Sequence, residues 1–378
     1  MKKIVIIGAN EFQNKLILKA KDMGYETHVF AWQSGDVGEK NADFFYPISI
    51  TEKEQILEQC KKIKPDAITS IASDLAVIAV NYVASNLGLT CNNPDDSIIC
   101  TNKYEMRKAF KNHGIKTPNF QKVKNFNEVK INKFPLIVKP TDRSGSRAIS
   151  LVKNKKELRE AIEYAVKYSF EKCAIVEEVI CGNEYSCECI SYKGEHHFLT
   201  ITKKYTTGFP KCIETGHIQP SDLSAEQIEK VKKVVFDGLN ALNIKNGASH
   251  SEFKIDENGD VGIIEIGARM GGDCIGSDLV KISTGYDFVE MVIDVAAGNP
   301  PKFKKVCEPK VAVIKFIFSK EDYENLERIA TQFPKKLYYK SNMEDMNHDI
   351  IDSSSRYGFY IFAFDNKEEV EKILGDNL

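Results

Sequence analysis

The sequence predicts a mixed α/β and α+β architecture, in which an N-terminal domain with a parallel sheet precedes domains built on antiparallel strands. The first 95 residues alternate short apolar strands with amphipathic helices, which is the pattern of a parallel sheet with helices on its faces. Two apolar-rich runs further on flank an Asn-Gly turn, which is the pattern of an antiparallel hairpin. At 378 residues the chain is long enough for two or three domains with substantial cores.

Composition and charge exclude several classes of protein. Hydrophobic residues make up 42% of the chain and charged residues 28%, and the net charge of −2 argues against a general nucleic-acid or membrane-surface binder. No run approaches the roughly 18 apolar residues that a membrane span needs. The short apolar run in Met1–Gly8 is typical of a first strand rather than a signal peptide. We therefore expect no nucleic-acid and no membrane partner.

The cysteines indicate a reducing compartment. Ten cysteines are scattered along the chain, with no Cys-x-x-Cys pair and no paired histidine spacing. In a chain of this size without a signal peptide, this pattern favours free thiols over a disulfide framework and argues against a zinc site. We therefore expect a cytoplasmic protein.

In the first domain the predicted elements are strands at 4–7, 26–30 and 67–69 and helices at 12–23 and 75–87. Ligands of parallel sheets bind at the carboxyl ends of the strands. The loop after Ile7 and the loop at 70–74 are therefore candidates for holding a substrate. The segment from Gly8 to Gln13 lacks the Gly-x-Gly-x-x-Gly fingerprint, so dinucleotide binding is poorly supported.

Two lysines next to polar segments indicate an anion site in the middle of the chain. Lys103 lies near the start of a helix predicted at 101–110, an end that disfavours a cation unless an anion is held there. A strand predicted at 134–140 ends in Lys139 and runs into a small polar loop containing Ser144, Gly145 and Ser146. The backbone N–H groups of such a loop can face phosphate oxygens. By itself, the same loop is also typical of an ordinary hairpin connection.

The remaining elements alternate between strands and helices. We predict strands at 174–180, 184–192, 195–204, 310–318 and 358–364, and helices at 155–168, 224–242, 287–297 and from 367 onward. Ser224 and Gln227 have the spacing of a capping box at the start of one helix.

The hairpin at 250–267 carries two glutamates that face each other. If Asn258 and Gly259 form a two-residue loop, Glu252 lies directly opposite Glu265. Like charges so placed destabilise a sheet, whereas two converging carboxylates suit Mg²⁺, which binds carboxylates together with substrate phosphates. Two solvated glutamates on an exposed strand remain the alternative. Arg269 favours the metal site, because it adds an anion-binding side chain just beyond the second strand.

The order and spacing of these pieces resemble the ATP-grasp superfamily, and within it the carboxylate-amine ligase branch. The chain is similar in this respect to bacterial L-amino acid ligases, the carbamoyl phosphate synthase large subunit and biotin carboxylase. The resemblance covers most of the chain. It implies a pre-ATP-grasp α/β domain at 1–95, an ATP-grasp domain at 96–300 with a central nucleotide-gripping part at about 115–180, and a small closing domain at 301–378.

The resemblance also implies a role in binding the nucleotide for nine residues. Lys103 and Lys139 match the lysines that touch the phosphates, and Lys139 is also a catalytic candidate. Ser144, Gly145 and Ser146 match the phosphate loop. Glu177, Glu178 and Ile180 match the hinge strand beside the adenine, and Glu184 matches the ribose-binding acid.

The metal and the substrates are assigned in the same way. Glu252 and Glu265 match the two metal-bridging carboxylates, and Arg269 matches the catalytic arginine that faces the acyl phosphate or the substrate carboxylate. Further candidates for substrate binding are Gly271, Gly272 and His217, with Arg356 as a candidate to reach the site from the closing domain. One departure is Gly267, where many relatives carry an asparagine ligand, so the number of metal ions stays open.

The activity implied is that of an ADP-forming carbon-nitrogen ligase that depends on ATP and on Mg²⁺, with Mn²⁺ as an alternative. A small carboxylate, expected to be an amino acid, would form an acyl phosphate that an amine then converts to an amide. A homodimer is compatible with the resemblance. The alternatives are a carboxylase or purine-pathway type of ligase that activates bicarbonate or formate, and a nucleotide-binding protein without catalysis. The sequence does not identify the acid or the amine.

Overall fold

Three β-sheets organise the chain, and the computed structural model describes residues 1–131, 133–209 and 211–375. The first sheet is parallel and has the order β3-β2-β1-β4. Its strands are β1 (Lys2–Ile7), β2 (Tyr25–Phe30), β3 (Phe44–Tyr46) and β4 (Ala67–Thr69). The helices of this region are α1 (Glu11–Asp22), α2 (Val37–Asn41), α3 (Lys53–Ile63) and α4 (Asp74–Asn86). This confirms the predicted parallel sheet, although the sequence missed β3, α2 and α3.

The second sheet is antiparallel and has the order β5-β8-β6-β7. Its strands are β5 (Phe120–Val123), β6 (Leu136–Pro140), β7 (Ser150–Val152) and β8 (Ala174–Glu178). Two helices precede it and one lies within it, namely α5 (Ser97–Thr101), α6 (Lys103–Asn112) and α7 (Lys155–Tyr168). The apolar stripe of α7 packs into the core of this sheet, with Leu158, Ile162 and Ala165 buried.

The third sheet has eight strands in the order β13-β12-β9-β10-β11-β14-β16-β15, and each neighbouring pair is antiparallel. Its strands are β9 (Asn183–Tyr192), β10 (Glu195–Thr206), β11 (Glu214–Gln219), β12 (Gly247–Ile255), β13 (Val261–Gly267), β14 (Val311–Phe316), β15 (Leu337–Lys340) and β16 (Phe359–Phe364). The helices are α8 (Ala225–Ala241), α9 (Val280–Thr284), α10 (Phe288–Ala296), α11 (Lys320–Gln332) and α12 (Lys367–Leu374).

The sheets bear on the predicted domains and helix boundaries. The predicted boundary at 300 falls between α10 and β14, and strands on both sides of it belong to one sheet, so the three domain ranges remain a prediction. The capping box at the start of α8 is confirmed, because Ser224 accepts from the Gln227 N–H while the Gln227 side chain accepts from the Ser224 N–H. No helix in the described part of the chain combines the length and apolarity needed to cross a membrane.

The hairpin of β12 and β13 has the predicted pairing but not the predicted turn. The expected two-residue loop is wrong, because the strands are joined by residues 256–260 and the Asp256 carboxylate accepts from backbone N–H groups inside that turn. A bulge then shifts the register, since Phe253 pairs with Ile263 whereas Glu252 pairs with Glu265. The longer turn and the bulge shift the register in opposite directions, so the two glutamates face each other as predicted.

Candidate active site

A cleft of about 1140 Å³ opens between the second and third sheets, and most of the predicted site residues line it. These residues are Lys103, Lys139, Ser144, Gly145, Ser146, Glu177, Glu178, Ile180, Glu184, Glu252, Glu265 and Arg269. A second cavity of about 1750 Å³ adjoins the cleft, and its lining includes His217, Gly272 and Arg356. Arg269, Glu252 and Ser144 line both, so the two spaces meet at these side chains.

Lys139 shares one carboxylate with a second buried cation that the sequence did not indicate. Its Nζ lies 2.6 Å from Glu177 Oε1, and Arg107 Nε on α6 lies 2.9 Å from Glu177 Oε2. Burial acts to raise the pKa of Glu177, but Arg107 and Lys139 outweigh it and lower that pKa to about 2. Burial lowers the pKa of Lys139, and repulsion from Arg107 and Lys103 adds to it against the attraction of Glu177. Two cations for one carboxylate leave positive charge to meet a phosphate.

The two acidic residues of the predicted hinge strand have different partners. The sequence predicts an acidic side chain of β8 beside the adenine, and of the two candidates Glu177 is directed to Lys139 and Arg107. Successive residues of a strand point to opposite faces, and the next residue, Glu178, accepts from the Asn119 N–H at 3.3 Å. Ile180 packs beside Gly262, where an added Cβ would lie 2.6 Å from it. Glu178 and Ile180 both line the cleft, and their predicted contact with the adenine stays a prediction.

Lys103 connects the phosphate loop with the hairpin. It is the first residue of α6, whose cap Asn102 accepts from two backbone N–H groups. Its Nζ donates to the Arg143 carbonyl at 2.6 Å and to Glu265 Oε1 at 2.9 Å. Lys103 is buried. Lys103, although it is a cation at the start of a helix, therefore bridges the phosphate loop and the Glu265 carboxylate.

The loop from Thr141 to Ile149 lies across the cleft. Gly145 and Ser146 have positive φ values of 72° and 57°, a conformation that is strained for serine. The Ser146 hydroxyl donates to the Cys212 carbonyl at 3.2 Å, and Arg147 Nε lies 3.4 Å from Asp352. The loop is therefore tied both to the segment before β11 and to the C-terminal region.

The opposite end of the cleft is rich in carboxylates. Glu252 accepts from Lys204 and lies 3.3 Å from His250 Nε2. The Lys204 Nζ also lies 3.5 Å from Glu184 and 3.6 Å from Glu214. Burial opposes the charge of Lys204, but Glu252, Glu214 and Glu184 outweigh it and raise its pKa. The sequence missed Lys204, because nothing in the strand indicated which of two adjacent lysines would face inward.

A buried pair supports Glu252 from behind. Glu188 on β9 pairs with His250 on β12, where the two strands are in register. Burial alone would lower the pKa of His250, but Glu188 and Glu252 raise it to about 9. The Gly271 N–H donates to Glu188 Oε2, and a Cβ at Gly271 would lie 2.7 Å from His250 Nδ1. Gly271 is absent from the lining of both cavities and packs against this pair, so its contact with a substrate stays a prediction.

The second cavity contains a further charged cluster. Arg356 donates to Asp273 at 2.6 and 3.0 Å and to the Glu214 carbonyl at 3.2 Å. His217 is buried with Nε2 3.6 Å from Asp273, and neither ring nitrogen has a hydrogen-bond partner among the described residues. Burial lowers the pKa of His217 despite the nearby Asp273. Arg356 does reach this cavity from the C-terminal region.

The chemistry of the facing glutamates fits Mg²⁺. This ion binds through one or two carboxylates and takes its other oxygens from phosphates and water. Glu252 and Glu265 supply two carboxylates on one wall of the cleft. No cluster of three or more His, Cys, Asp or Glu side chains among residues 1–131, 133–209 and 211–375 has the arrangement of a metal site. An ion here would need oxygens from a bound phosphate as well.

Comparison with known proteins identifies the domain that forms this cleft. A family model described as the ATP-grasp domain matches residues 132–278. This chain contains an ATP-grasp domain. The solved L-amino acid ligase from Bacillus licheniformis superposes with a TM-score of 0.84 at 23% identity, over 100% of this chain and 96% of the other. The predicted ATP-grasp fold, with its preceding parallel-sheet domain, is confirmed.

Two curated relatives cover about two thirds of the chain. A formate-dependent phosphoribosylglycinamide formyltransferase of Prochlorococcus marinus (strain MIT 9515) is 28% identical over 257 residues, which is 64% of each chain. An alanine–anticapsin ligase of Bacillus subtilis (strain 168) is 27% identical over 293 residues, which is 67% of this chain and 61% of the relative. The chain thus spans just under two thirds of the length of these relatives.

Proposed function

We propose that this protein is an ADP-forming ligase that uses ATP to join a small carboxylic acid, an amino acid, to an amine. The observation that carries the proposal is the meeting of two cavities at Arg269. The first cavity is lined by Lys103 and Lys139, the lysines proposed to bind phosphates, and by the facing pair Glu252 and Glu265. The second cavity is large enough for organic substrates. Two adjoining cavities of this kind support a nucleotide site that opens onto an acceptor site.

The reaction has two steps that the site residues can assist. A carboxylate oxygen of the acid attacks the γ-phosphorus of ATP, and the bond from that phosphorus to the oxygen of ADP breaks. The amine nitrogen then attacks the carbonyl carbon of the acyl phosphate, phosphate leaves, and the nitrogen loses a proton. The protein contributes mainly position and charge. Lys139 and Lys103 hold the phosphates, and the loop at 144–146 covers them.

Glu252 and Glu265 would hold Mg²⁺, or Mn²⁺ in its place, which when bound neutralises phosphate charge. Arg269 lies where the two cavities meet, so its guanidinium can contact the transferring phosphoryl group and the carboxylate that receives it. Arginine suits this position because it donates in a planar fork to oxyanions.

The charges of the second cavity favour an amine substrate over a phosphorylated one. Eight acidic residues line it, namely Glu11, Asp36, Asp74, Glu214, Glu252, Asp273, Glu344 and Asp352. Four lysine or arginine residues line it, and each lies within ion-pair distance of one of those acids, namely Arg147, Lys204, Arg269 and Arg356. Three acids of the lining, Glu11, Asp36 and Glu344, take part in no ion pair among the described residues, because Glu214 lies 3.6 Å from Lys204. The lining is therefore acidic beyond Arg269, and it suits the ammonium group of an acceptor better than a phosphate on that acceptor.

A second candidate is a ligase that activates formate, as the name of the formyltransferase relative indicates for that protein. That name also specifies a phosphoribosyl compound, and the acidic second cavity argues against such an acceptor here. A protein that binds ATP without catalysis is the remaining alternative. Both are outcomes of the same assay.

The assay measures ADP release from Mg²⁺ and ATP against a panel of amino acids, amino acid pairs, other small acids, formate and bicarbonate. We expect release that requires an amino acid and rises when a second amine is added. Glu265→Gln serves as the control, and it should abolish release in a folded protein. Release driven by formate or bicarbonate alone, or ATP binding without any ADP, would contradict the proposal.

A further inference from the structure

We propose that Asp74 is a positioning residue that holds Arg269 in its working orientation, and that Gly267 is glycine in order to leave room for Asp74. The inference rests on the proposed function for its kinetic readout. Asp74 begins α4 at the carboxyl edge of the parallel sheet, in a loop region that the sequence marks only as a candidate for holding a substrate. Arg269 lies two residues after the end of β13, in a different part of the fold from α4.

The Asp74 carboxylate accepts two hydrogen bonds from the Nε and Nη2 side of the Arg269 guanidinium. Arg269 Nε donates to Asp74 Oδ1 at 2.9 Å, and Nη2 donates to Oδ2 at 3.2 Å. The Nη1 donates to the Met270 carbonyl at 3.3 Å. An arginine has five N–H donors, so two remain for an anion in the adjoining cavities. Because the fork is planar, a two-point contact fixes the direction in which those two point.

The surroundings make this contact hard to replace by another conformer. Each of the two side chains is only 16% exposed. The Ala72 N–H also donates to the Met270 carbonyl at 3.2 Å, so the loop before α4 is joined to the Arg269 segment by its backbone as well. The pKa of Asp74 is lowered, since Arg269 outweighs the effect of burial, and the carboxylate stays charged at neutral pH.

The close approach of Asp74 and Arg269 leaves no room for a side chain at Gly267. An added Cβ at this position would lie 2.9 Å from Asp74 Oδ1 and 3.2 Å from Arg269 Nε. A side chain here would therefore push on the acceptor and the donor of the same hydrogen bond. Gly267 does not belong to the glycines with positive φ among the described residues, so backbone freedom is not the reason for it. Asp74, Gly267 and Arg269 form one packed unit.

The test compares Asp74→Ala, Gly267→Ala and the double variant with the wild type. We expect each single variant to lower kcat and kcat/KM for the acid by about 10²-fold, because a displaced catalytic group costs that much, while KM for ATP stays within about 2-fold. The double variant should be no slower than Asp74→Ala by more than about 2-fold, because the methyl then meets no carboxylate and Arg269 has already lost the contact that the methyl would disturb. Asp74→Asn keeps one acceptor oxygen and should retain more activity than Asp74→Ala.

Glu54→Ala is the matched control, since Glu54 is an exposed acid in the first turn of α3 in the same region. It should show wild-type kinetics. Losses that multiply in the double variant, or a folded Asp74→Ala enzyme with wild-type kinetics, would overturn the proposal. A fall in Tm for Asp74→Ala without any kinetic loss would likewise leave only a structural role and overturn it.

A thermal arm separates this inference from the proposed function. Gly267→Ala should lower Tm by about 2 °C or more in the wild type and by less than that in the Asp74→Ala background. Absence of acid-dependent ADP release in the wild type would reject the proposed function. In that case equal Tm shifts in both backgrounds would overturn the packed unit, and unequal shifts would support it.

Discussion

Two buried lysines face the same cleft in opposite surroundings. Lys139 shares the single carboxylate of Glu177 with Arg107. Lys204 lies within ion-pair distance of three carboxylates, namely Glu252, Glu184 and Glu214. Burial acts to lower the pKa of both lysines. The pKa of Lys139 is lowered, whereas the carboxylates around Lys204 outweigh burial and raise its pKa. The local ratio of cations to carboxylates, rather than the lysine itself, sets the charge that each end offers to a ligand.

The two ends together suit a nucleotide with its metal ion. The end at Lys139 carries surplus positive charge and would meet phosphates. The end at Lys204 carries surplus negative charge and would meet a divalent cation and the ammonium group of a substrate. Substituting the same neutral residue at both lysines tests whether this contrast is real.

Lys204→Met should give the largest effect on stability. It leaves three carboxylates around a buried position without their cation, and breaking a buried pair in this way costs on the order of 3 kcal/mol. We expect a lower free energy of unfolding in denaturant titrations, and a larger gain in Tm on adding Mg²⁺ than the wild type shows. A variant as stable as the wild type, with no extra response to Mg²⁺, would remove the basis for the comparison.

Lys139→Met should reverse the pattern. Arg107 still neutralises Glu177, so we expect the free energy of unfolding to change by about 1 kcal/mol or less. Loss of a phosphate contact should instead lower kcat/KM for ATP by about 10²-fold. Steady-state kinetics and chemical unfolding of the same preparation measure both. Equal destabilisation by the two methionine substitutions would show that charge ratio is not what distinguishes these ends.

Acid sensitivity gives a third test, through Glu177. Its pKa falls from 4.5 in its ordinary state to about 2 in the folded protein. A lowered pKa adds stability above the ordinary value, and this contribution is lost as the pH falls toward the folded value. Thermal unfolding between about pH 5 and about pH 3 should therefore show a steeper loss of Tm in the wild type than in Glu177→Gln. Parallel curves would argue against the buried ion pairs.

The smallest effect is expected at the edge of the cleft. The Arg147 side chain is 43% exposed, and its contact with Asp352 measures 3.4 Å. Exposed ion pairs contribute about 0 to 1 kcal/mol, so Arg147→Ala should change the free energy of unfolding by no more than that. A loss comparable with that of Lys204→Met would show that the loop is anchored far more firmly than its exposure indicates.

The sequence revealed those site residues that belong to local patterns. Lys139 ends a strand, and the glutamates 252 and 265 pair across a hairpin, so strand period and pairing were enough to find them. The pairing survived a wrong turn only because a bulge compensated for it. Local pattern thus predicts which face of a strand a side chain occupies, and it fails at the details of the connection.

The partners of these residues could not be found in this way. Asp74 and Arg269 are 195 positions apart, and Arg107 and Glu177 are 70 positions apart. Such contacts arise when a helix packs against a distant strand or loop, here α6 against β8 and α4 against the loop after β13. A single sequence carries no periodic signal for them. Glu188 and His250 likewise meet because β9 and β12 are neighbours in the third sheet, an order that the sequence did not specify. The numbers of cations and carboxylates that meet in the cleft could therefore be determined only from the structure.

The most direct test of the central claim follows an oxygen atom. The acid is supplied with both carboxylate oxygens as ¹⁸O, together with the amine, ATP and Mg²⁺, and the released phosphate is analysed by mass spectrometry. An acyl phosphate requires that each phosphate released carries one ¹⁸O and that the amide keeps the other. Phosphate without ¹⁸O, released at the same rate as ADP, would mean that water rather than the acid accepts the phosphoryl group, and would contradict the ligase.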